Sequence, residues 1–192
     1  MVRLTKIYTR TGDKGRTRLG DMSEADKHDP RVEAYGSVDE ANAALGLAIA
    51  ALTKDHELVA PLQAIQNDLF DLGADLCVPD RGEPMDFEPL RMVPAQTKRL
   101  EDLIDQFNAR LEPLSSFVLP GGSELSARLH MARTITRRAE RASTALRASG
   151  EPVSDSVITY LNRLSDLLFV LGRIANDDGR SDILWTPGAG RE

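Results

Sequence analysis

The sequence predicts an all-α fold, an up-and-down bundle of five helices. Three observations carry that prediction. Apolar residues recur at helical spacing in five separate stretches. Links containing Pro and Gly follow the second, third and fourth of those stretches. Aromatic residues make up only 5% of the 192-residue chain, so its core is mostly Leu, Ala, Ile and Val. A chain of this length fits one domain with a sizeable core. It divides into an N-terminal segment (1–28), the bundle (29–177) and a C-terminal tail (178–192), both ends lying outside the bundle.

The first helix opens at Asp29-Pro30, an N-cap followed by a first-turn proline. Ala34, Val38, Ala41, Leu45, Ala48 and Leu52 form its apolar stripe. The second spans about 57–78, with Leu58, Leu62, Ile65, Leu69, Leu72 and Leu76 on one face. Pro79, Gly82, Pro84 and Pro89 make 79–93 a surface loop. The third covers 94–111, carrying Leu100, Leu103, Ile104 and Phe107. A connector with the apolar run Phe117-Val118-Leu119 ends in Pro120-Gly121-Gly122. Ser123 then caps a fourth helix over 124–148, which stops near Gly150-Glu151-Pro152. The fifth opens at Ser154 or Asp155 and runs to about Asn176. Val157, Ile158, Leu161, Leu164, Leu168, Leu171 and Ile174 are its stripe.

Outside the helices, Thr9-Arg10-Thr11-Gly12-Asp13-Lys14-Gly15-Arg16-Thr17 concentrates glycines, hydroxyls and cations. Backbone N–H groups, hydroxyls and cations together suit a polyphosphate. The order is not that of a Walker A loop, since Lys14 precedes Gly15 and no strand leads into a helix there. A solvated terminus would share this composition. On the fourth helix Arg133, Arg137 and Arg141 are spaced i, i+4, i+8 on one face. Like charges at that spacing cost a few tenths of a kcal/mol each. Partner carboxylates or a bound polyanion would offset the repulsion; a solvated face is the plainer alternative.

Net charge is −6, which argues against a general nucleic-acid binder. Cys77 is the one cysteine, so no intramolecular disulfide forms, and a reducing, cytoplasmic setting is expected. No apolar run approaches the roughly 18 residues of a membrane span. His28, His56 and His130 are scattered, and the chain contains no Glu-x-x-His pair, zinc signature or Gly-x-Ser-x-Gly elbow.

Five stretches in order resemble one family, the ATP:cob(I)alamin adenosyltransferases of the propanediol-utilisation type. They are Ile7–Gly15, Asp29–Glu40, Phe117–Gly122, Ala132–Arg141 and Tyr160–Asp166. The resemblance implies a homotrimer of five-helix bundles with sites between subunits. It implies transfer of the 5′-deoxyadenosyl group of ATP to cob(I)alamin, with Mg²⁺ bound through the ATP phosphates rather than at a protein metal site. It places ATP against Thr9, Arg10, Thr11, Gly12, Lys14, Thr17, Arg18 and Lys27 of one chain. Arg137, Arg138, Glu140, Arg141 and Asn162 of the neighbour meet it from the other side. It pairs Asp39 with Arg133 across the interface, beside cobalamin, and sets Phe117 against the lower face of the corrin. Phe117, Asp39, Arg133 and Arg137 are then the catalytic set. A reductase and an adenosylcobalamin-dependent mutase are the implied partners. Trp185, beside Pro187-Gly188, suggests that the tail closes over cobalamin.

Overall fold

The structure is a computed structural model that describes residues 7–8, 10–82 and 84–191. Among the described residues it contains a two-stranded hairpin, β1 (Arg16–Arg18) and β2 (Glu24–Asp26), and five helices. The helices are α1 (Pro30–Ile49), α2 (Val59–Cys77), α3 (Pro94–Asn108), α4 (Glu124–Ala148) and α5 (Asp155–Ile174). The five expected helices are all present. Four are shorter than expected: α1 stops before Leu52, α2 starts at Val59, α3 ends before Leu111 and α5 ends before Asn176. Leu52 and Leu111 still pack on the core from the turns that follow, so apolar packing outlasts the helix.

The capping chemistry sets the helix starts. The Asp29 carboxylate accepts from the Arg31 N–H at 2.7 Å, and Pro30 occupies the first turn, where a missing N–H costs nothing. Ser123 and Ser154 cap α4 and α5 by accepting from Ser126 N–H and Val157 N–H. At α3 the cap is reversed. The Gln96 side chain reaches back to accept from the Val93 N–H at 2.9 Å.

Helix α5 is the centre. Leu161, Leu164, Leu167, Leu168 and Leu171 are all buried, with α4 and α3 packed against them. Each fully buried leucine contributes about 2 kcal/mol of transfer free energy. Helix α1 is alanine-rich on its inner face (Ala34, Ala41, Ala44, Ala48), and α4 meets it with Ala132 and Ala139. Small side chains let these two backbones come close. Asp68 of α2 is a polar hub in this interior. It accepts from the Tyr160 hydroxyl (3.0 Å), Arg99 (2.7 Å) and Gln96 (2.9 Å). Burial, reinforced by the Asp68 charge, pushes the Tyr160 phenol far above its usual range, so it stays a donor.

The N-terminal segment departs from the sequence expectation of a loop standing off the bundle. The hairpin pairs Arg16, Thr17 and Arg18 with Asp26, Ala25 and Glu24. Leu19 and Ala25 are buried. Strands of three residues, charged at most positions, carry no apolar alternation for sequence reading to detect. The tail likewise joins the body: Asp182 is buried against Arg173 of α5 in an ion pair of 2.7 Å.

Arg31 is 2% exposed and ties three elements together. It donates to the Leu76 carbonyl (2.8 Å) at the end of α2, and to Glu151 (2.8 Å) and the Pro152 carbonyl (3.1 Å) in the α4–α5 link. We expect Arg31→Ala to lower the unfolding free energy by about 3 kcal/mol, because buried carbonyls lose their donor and a cavity opens. Urea denaturation measures this; a loss under about 1 kcal/mol would count against it.

Candidate functional site

The loop leading into β1 is shaped by two left-handed residues, Arg10 (φ 64°) and Gly15 (φ 79°). The Gly15 N–H donates to the Gly12 carbonyl at 3.2 Å, and the Lys27 N–H donates to the Gly15 carbonyl at 2.8 Å. The loop is thus folded back onto the end of β2. Space at Gly12 is tight: a Cβ there would stand 3.2 Å from the Lys27 ammonium and 3.3 Å from the Arg16 carbonyl. The result is a cleft of about 600 Å³, lined by Thr11, Gly12, Arg16, Thr17, Arg18, Glu24 and Lys27. That volume lies within the range of small-molecule sites.

Its charges are unequally committed. Arg16 is held by Glu24 (3.2 Å) and Asp26 (3.3 Å). Among the described residues Arg18 and Lys27 form no ion pair, so their charge is available to an anion. Tyr35 of α1 lies beside Thr17, and its phenol is pushed up first by burial and then by the nearby Cys77. Lys14 is exposed beside the cleft but does not line it. Thr9 lies outside the described residues.

The arginine stripe sits elsewhere. Arg137 and Arg141 are exposed on α4, while Arg133 is half-buried with its Nε unpartnered among the described residues. Burial, and then the like charge of Arg137, pulls the Arg133 guanidinium below its ordinary value. Arg138 pairs with Glu40 of α1. Asn162 of α5 donates to the Glu140 carboxylate at 3.0 Å. No α4 residue lines the cleft. Asp39 is exposed on α1 and forms no ion pair with Arg133 within the chain. One chain therefore holds the two expected halves of a nucleotide clamp apart.

A third feature was only half legible. Phe117 is 76% exposed, which is unusual for so large an apolar side chain. It is held in place by a short antiparallel pairing with the tail. Leu119 N–H donates to the Ile183 carbonyl and Trp185 N–H to the Phe117 carbonyl, each at 2.7 Å. The Ser116 hydroxyl donates to the Trp185 carbonyl at 2.8 Å. The Phe117 and Trp185 rings lie 5.9 Å apart, tilted by 59°. With Leu119 and Ile183, which the register puts on the same side, they form an exposed apolar face. Two β-prone triplets, Phe117-Val118-Leu119 and Ile183-Leu184-Trp185, were the available signal for this pairing.

Asn176 anchors the base of that face. It accepts from Ser123 N–H (2.9 Å) and donates to the Gly121 carbonyl and to Asp182 (both 3.2 Å). Gly122, at φ 94°, leaves room for it, since a Cβ would meet its amide at 2.3 Å. Sequence reading also missed His130, which is 1% exposed beneath this region, with both ring nitrogens unpartnered among the described residues.

The sequence profile of the cobalamin adenosyltransferases matches residues 7–175. The chain belongs to that family. It is 54% identical to the corrinoid adenosyltransferase of Mycobacterium tuberculosis strain H37Rv over 99% of this chain and 97% of the relative. It is 44% identical to that of Bacillus subtilis strain 168 over 89% of this chain and 86% of the relative. Its fold matches a Phe-to-His variant of the PduO-type ATP:corrinoid adenosyltransferase from Lactobacillus reuteri, solved with cobalamin and ATP. The TM-score is 0.84 at 39% identity, covering 95% of this chain and 97% of that one. No described helix is long and apolar enough to cross a membrane.

Two outcomes follow from the base of the adenosyltransferase's apolar face. Asp182→Ala leaves Arg173 charged and buried without its partner, and the tail should detach. Trp185 is the only tryptophan, so its fluorescence should shift to longer wavelength; unchanged emission would contradict the anchor. The second concerns acid. Burial first, and the Arg133 charge second, hold His130 below its ordinary value of 6.5, against a weaker pull upward from Asp182. The unfolded chain therefore takes up this proton first as pH falls. The stability contribution is complete above about pH 6.5 and is lost below it. The urea midpoint should fall between pH 7.5 and 5.5, and His130→Leu should flatten that fall.

Proposed function

We propose that the chain transfers the 5′-deoxyadenosyl group of ATP to cob(I)alamin, releasing triphosphate, at sites completed by the neighbouring subunit of a homotrimer. One observation carries this reading beyond family membership. The cation-bearing glycine cleft and the α4 arginine stripe are built for the same polyanion, yet lie on separate parts of one chain. A second copy presenting its stripe to the cleft brings them together.

In this arrangement Arg10, Thr11, Gly12, Lys14, Thr17, Arg18 and Lys27 hold the polyphosphate from one side, with Thr9 assigned alongside them. Arg137, Arg138, Arg141, Glu140 and Asn162 of the neighbour complete it. Asp39 answers the half-buried Arg133 across the interface and offsets the repulsion within the stripe. The cleft offers one carboxylate, Glu24, already engaged by Arg16. Mg²⁺ therefore enters on the phosphates, with no protein cage of its own.

The chemistry is a displacement at carbon. The Co(I) electron pair forms the bond to C5′, the C5′–O bond breaks, and triphosphate leaves with the electrons of that broken bond. No proton moves at the reacting atoms, so no general base is needed. The developing charge lies on the leaving chain, where arginine forks stabilise it electrostatically. Phe117 supplies an apolar contact to the lower corrin face. Keeping a donor ligand off cobalt there favours the reduced metal. A reductase that supplies the electron and an adenosylcobalamin-dependent mutase that takes the product are the proposed partners, in the cytoplasm.

Protein mixed with cob(II)alamin, a reductant and ATP–Mg²⁺ should produce the adenosylcobalamin spectrum; its absence would sink the proposal. Arg137→Ala should lower kcat/KM for ATP about 100-fold, or about 2.7 kcal/mol of transition-state stabilisation. An unchanged efficiency would remove Arg137 from the phosphate site.

A further inference from the structure

We infer that Gly20 is a positioning residue for the nucleotide: it seats the hairpin on the end of α2 and so sets the orientation of the ATP cleft without touching ATP. The inference rests on the nucleotide role proposed for that cleft.

The Gly20 N–H donates to the Cys77 carbonyl, the last residue of α2, at 2.9 Å. Among the described residues this is the one backbone hydrogen bond joining the hairpin turn to a helix distant in sequence. The approach is as close as a backbone allows. A Cβ on Gly20 would stand 2.5 Å from Val78 Cγ2 and 3.5 Å from the Cys77 carbonyl oxygen. Gly20 is not in the left-handed region, so the glycine is needed for space and not for backbone freedom. Val78 is buried and β-branched, with little freedom to turn aside. A methyl group at position 20 must push the turn off α2.

Both sides of this contact are stiff. On the helix side Arg31 donates to the neighbouring Leu76 carbonyl, and Arg91 donates to the carbonyls of Asp75 (3.0 Å) and Val78 (2.6 Å). The end of α2 is therefore clamped in place. On the hairpin side the turn closes through Leu19 N–H to the Ser23 carbonyl (2.9 Å), with Asp21 accepting from Ser23 N–H (2.9 Å). Gly20 follows Leu19, which follows Arg18 directly, so no flexible residue separates the seat from the cleft wall. A displacement at Gly20 is passed to Thr17 and Arg18. The apolar face at Phe117 hangs instead from α5 and Asp182, and is insulated from it.

The test compares wild type, Gly20→Ala and Gly20→Ala/Val78→Ala. The double variant removes the obstructing methyl while keeping the added one. We expect Gly20→Ala to fold with an unliganded Tm a few degrees below wild type and to lose most of the Tm rise produced by ATP–Mg²⁺. Its KM for ATP should rise at least tenfold, with kcat at saturating ATP and KM for cobalamin within about threefold of wild type. The double variant should recover KM for ATP to within about threefold. A Gly20→Ala protein that binds ATP as wild type does overturns this inference alone. So does one that fails to fold, or that loses ATP and cobalamin affinity together, since the glycine then holds the bundle. A wild type that ignores ATP overturns the adenosyltransferase reading, and this inference with it.

Discussion

Helix α5 is buried around most of its circumference, and that constraint organises the molecule. A helix with so wide an apolar face has no stable place at a surface. Helices α3 and α4 pack directly against it, and α1 reaches the same core through α4. The ends of the bundle are then the places left for irregular backbone. The proposed chemistry is carried there, on a hairpin at one edge and on the Phe117–Trp185 pairing at another. Each excursion is tied to a helix end by few contacts, Gly20 to Cys77 in one case and Asp182 to Arg173 in the other. A rigid interior thus presents two surfaces whose geometry depends on single residues.

The charge pattern follows a second logic. Several arginines are matched within the chain: Arg31 by Glu151, Arg173 by Asp182, Arg99 by Asp68. The stripe on α4 is treated differently. Arg133 loses solvent without gaining a partner for its Nε among the described residues. Burying a cation in this way costs free energy unless something answers it. Within one chain the Arg133 Nε stays unanswered among the described residues. A neighbouring subunit's carboxylate and a polyphosphate are what the proposed assembly would add. In that assembly the field would be in place before the leaving group develops charge, which is what electrostatic catalysis requires.

Much of the fold was legible because its determinants are local. Asp29-Pro30, Ser123 and Ser154 cap their own helices, and helical periodicity sorts Leu161, Leu164 and Leu168 to one side without knowledge of any partner. The Thr9–Thr17 stretch was legible as a composition suited to a polyphosphate for the same reason. The hairpin was not, since Arg16-Thr17-Arg18 and Glu24-Ala25-Asp26 gain their stability from cross-strand charge and from burial of Leu19 and Ala25 on the bundle. The tail was not, because Asp182 reads as an ordinary surface acid until Arg173 is found opposite it. His130 reads as one of three scattered histidines until α5 covers it.

The amino-acid sequence by itself determined five helices, the residues that cap three of them, the glycine–cation loop and the arginine stripe. Each depends on neighbours within a few positions or on a fixed helical repeat. Only the tertiary structure decided that Phe117 stands out beside Trp185, that Gly20 is pressed against Val78, and that the stripe does not reach the cleft of its own chain. Those facts depend on contacts between residues dozens of positions apart, and such distances are set by packing around α5 rather than by local conformational preference.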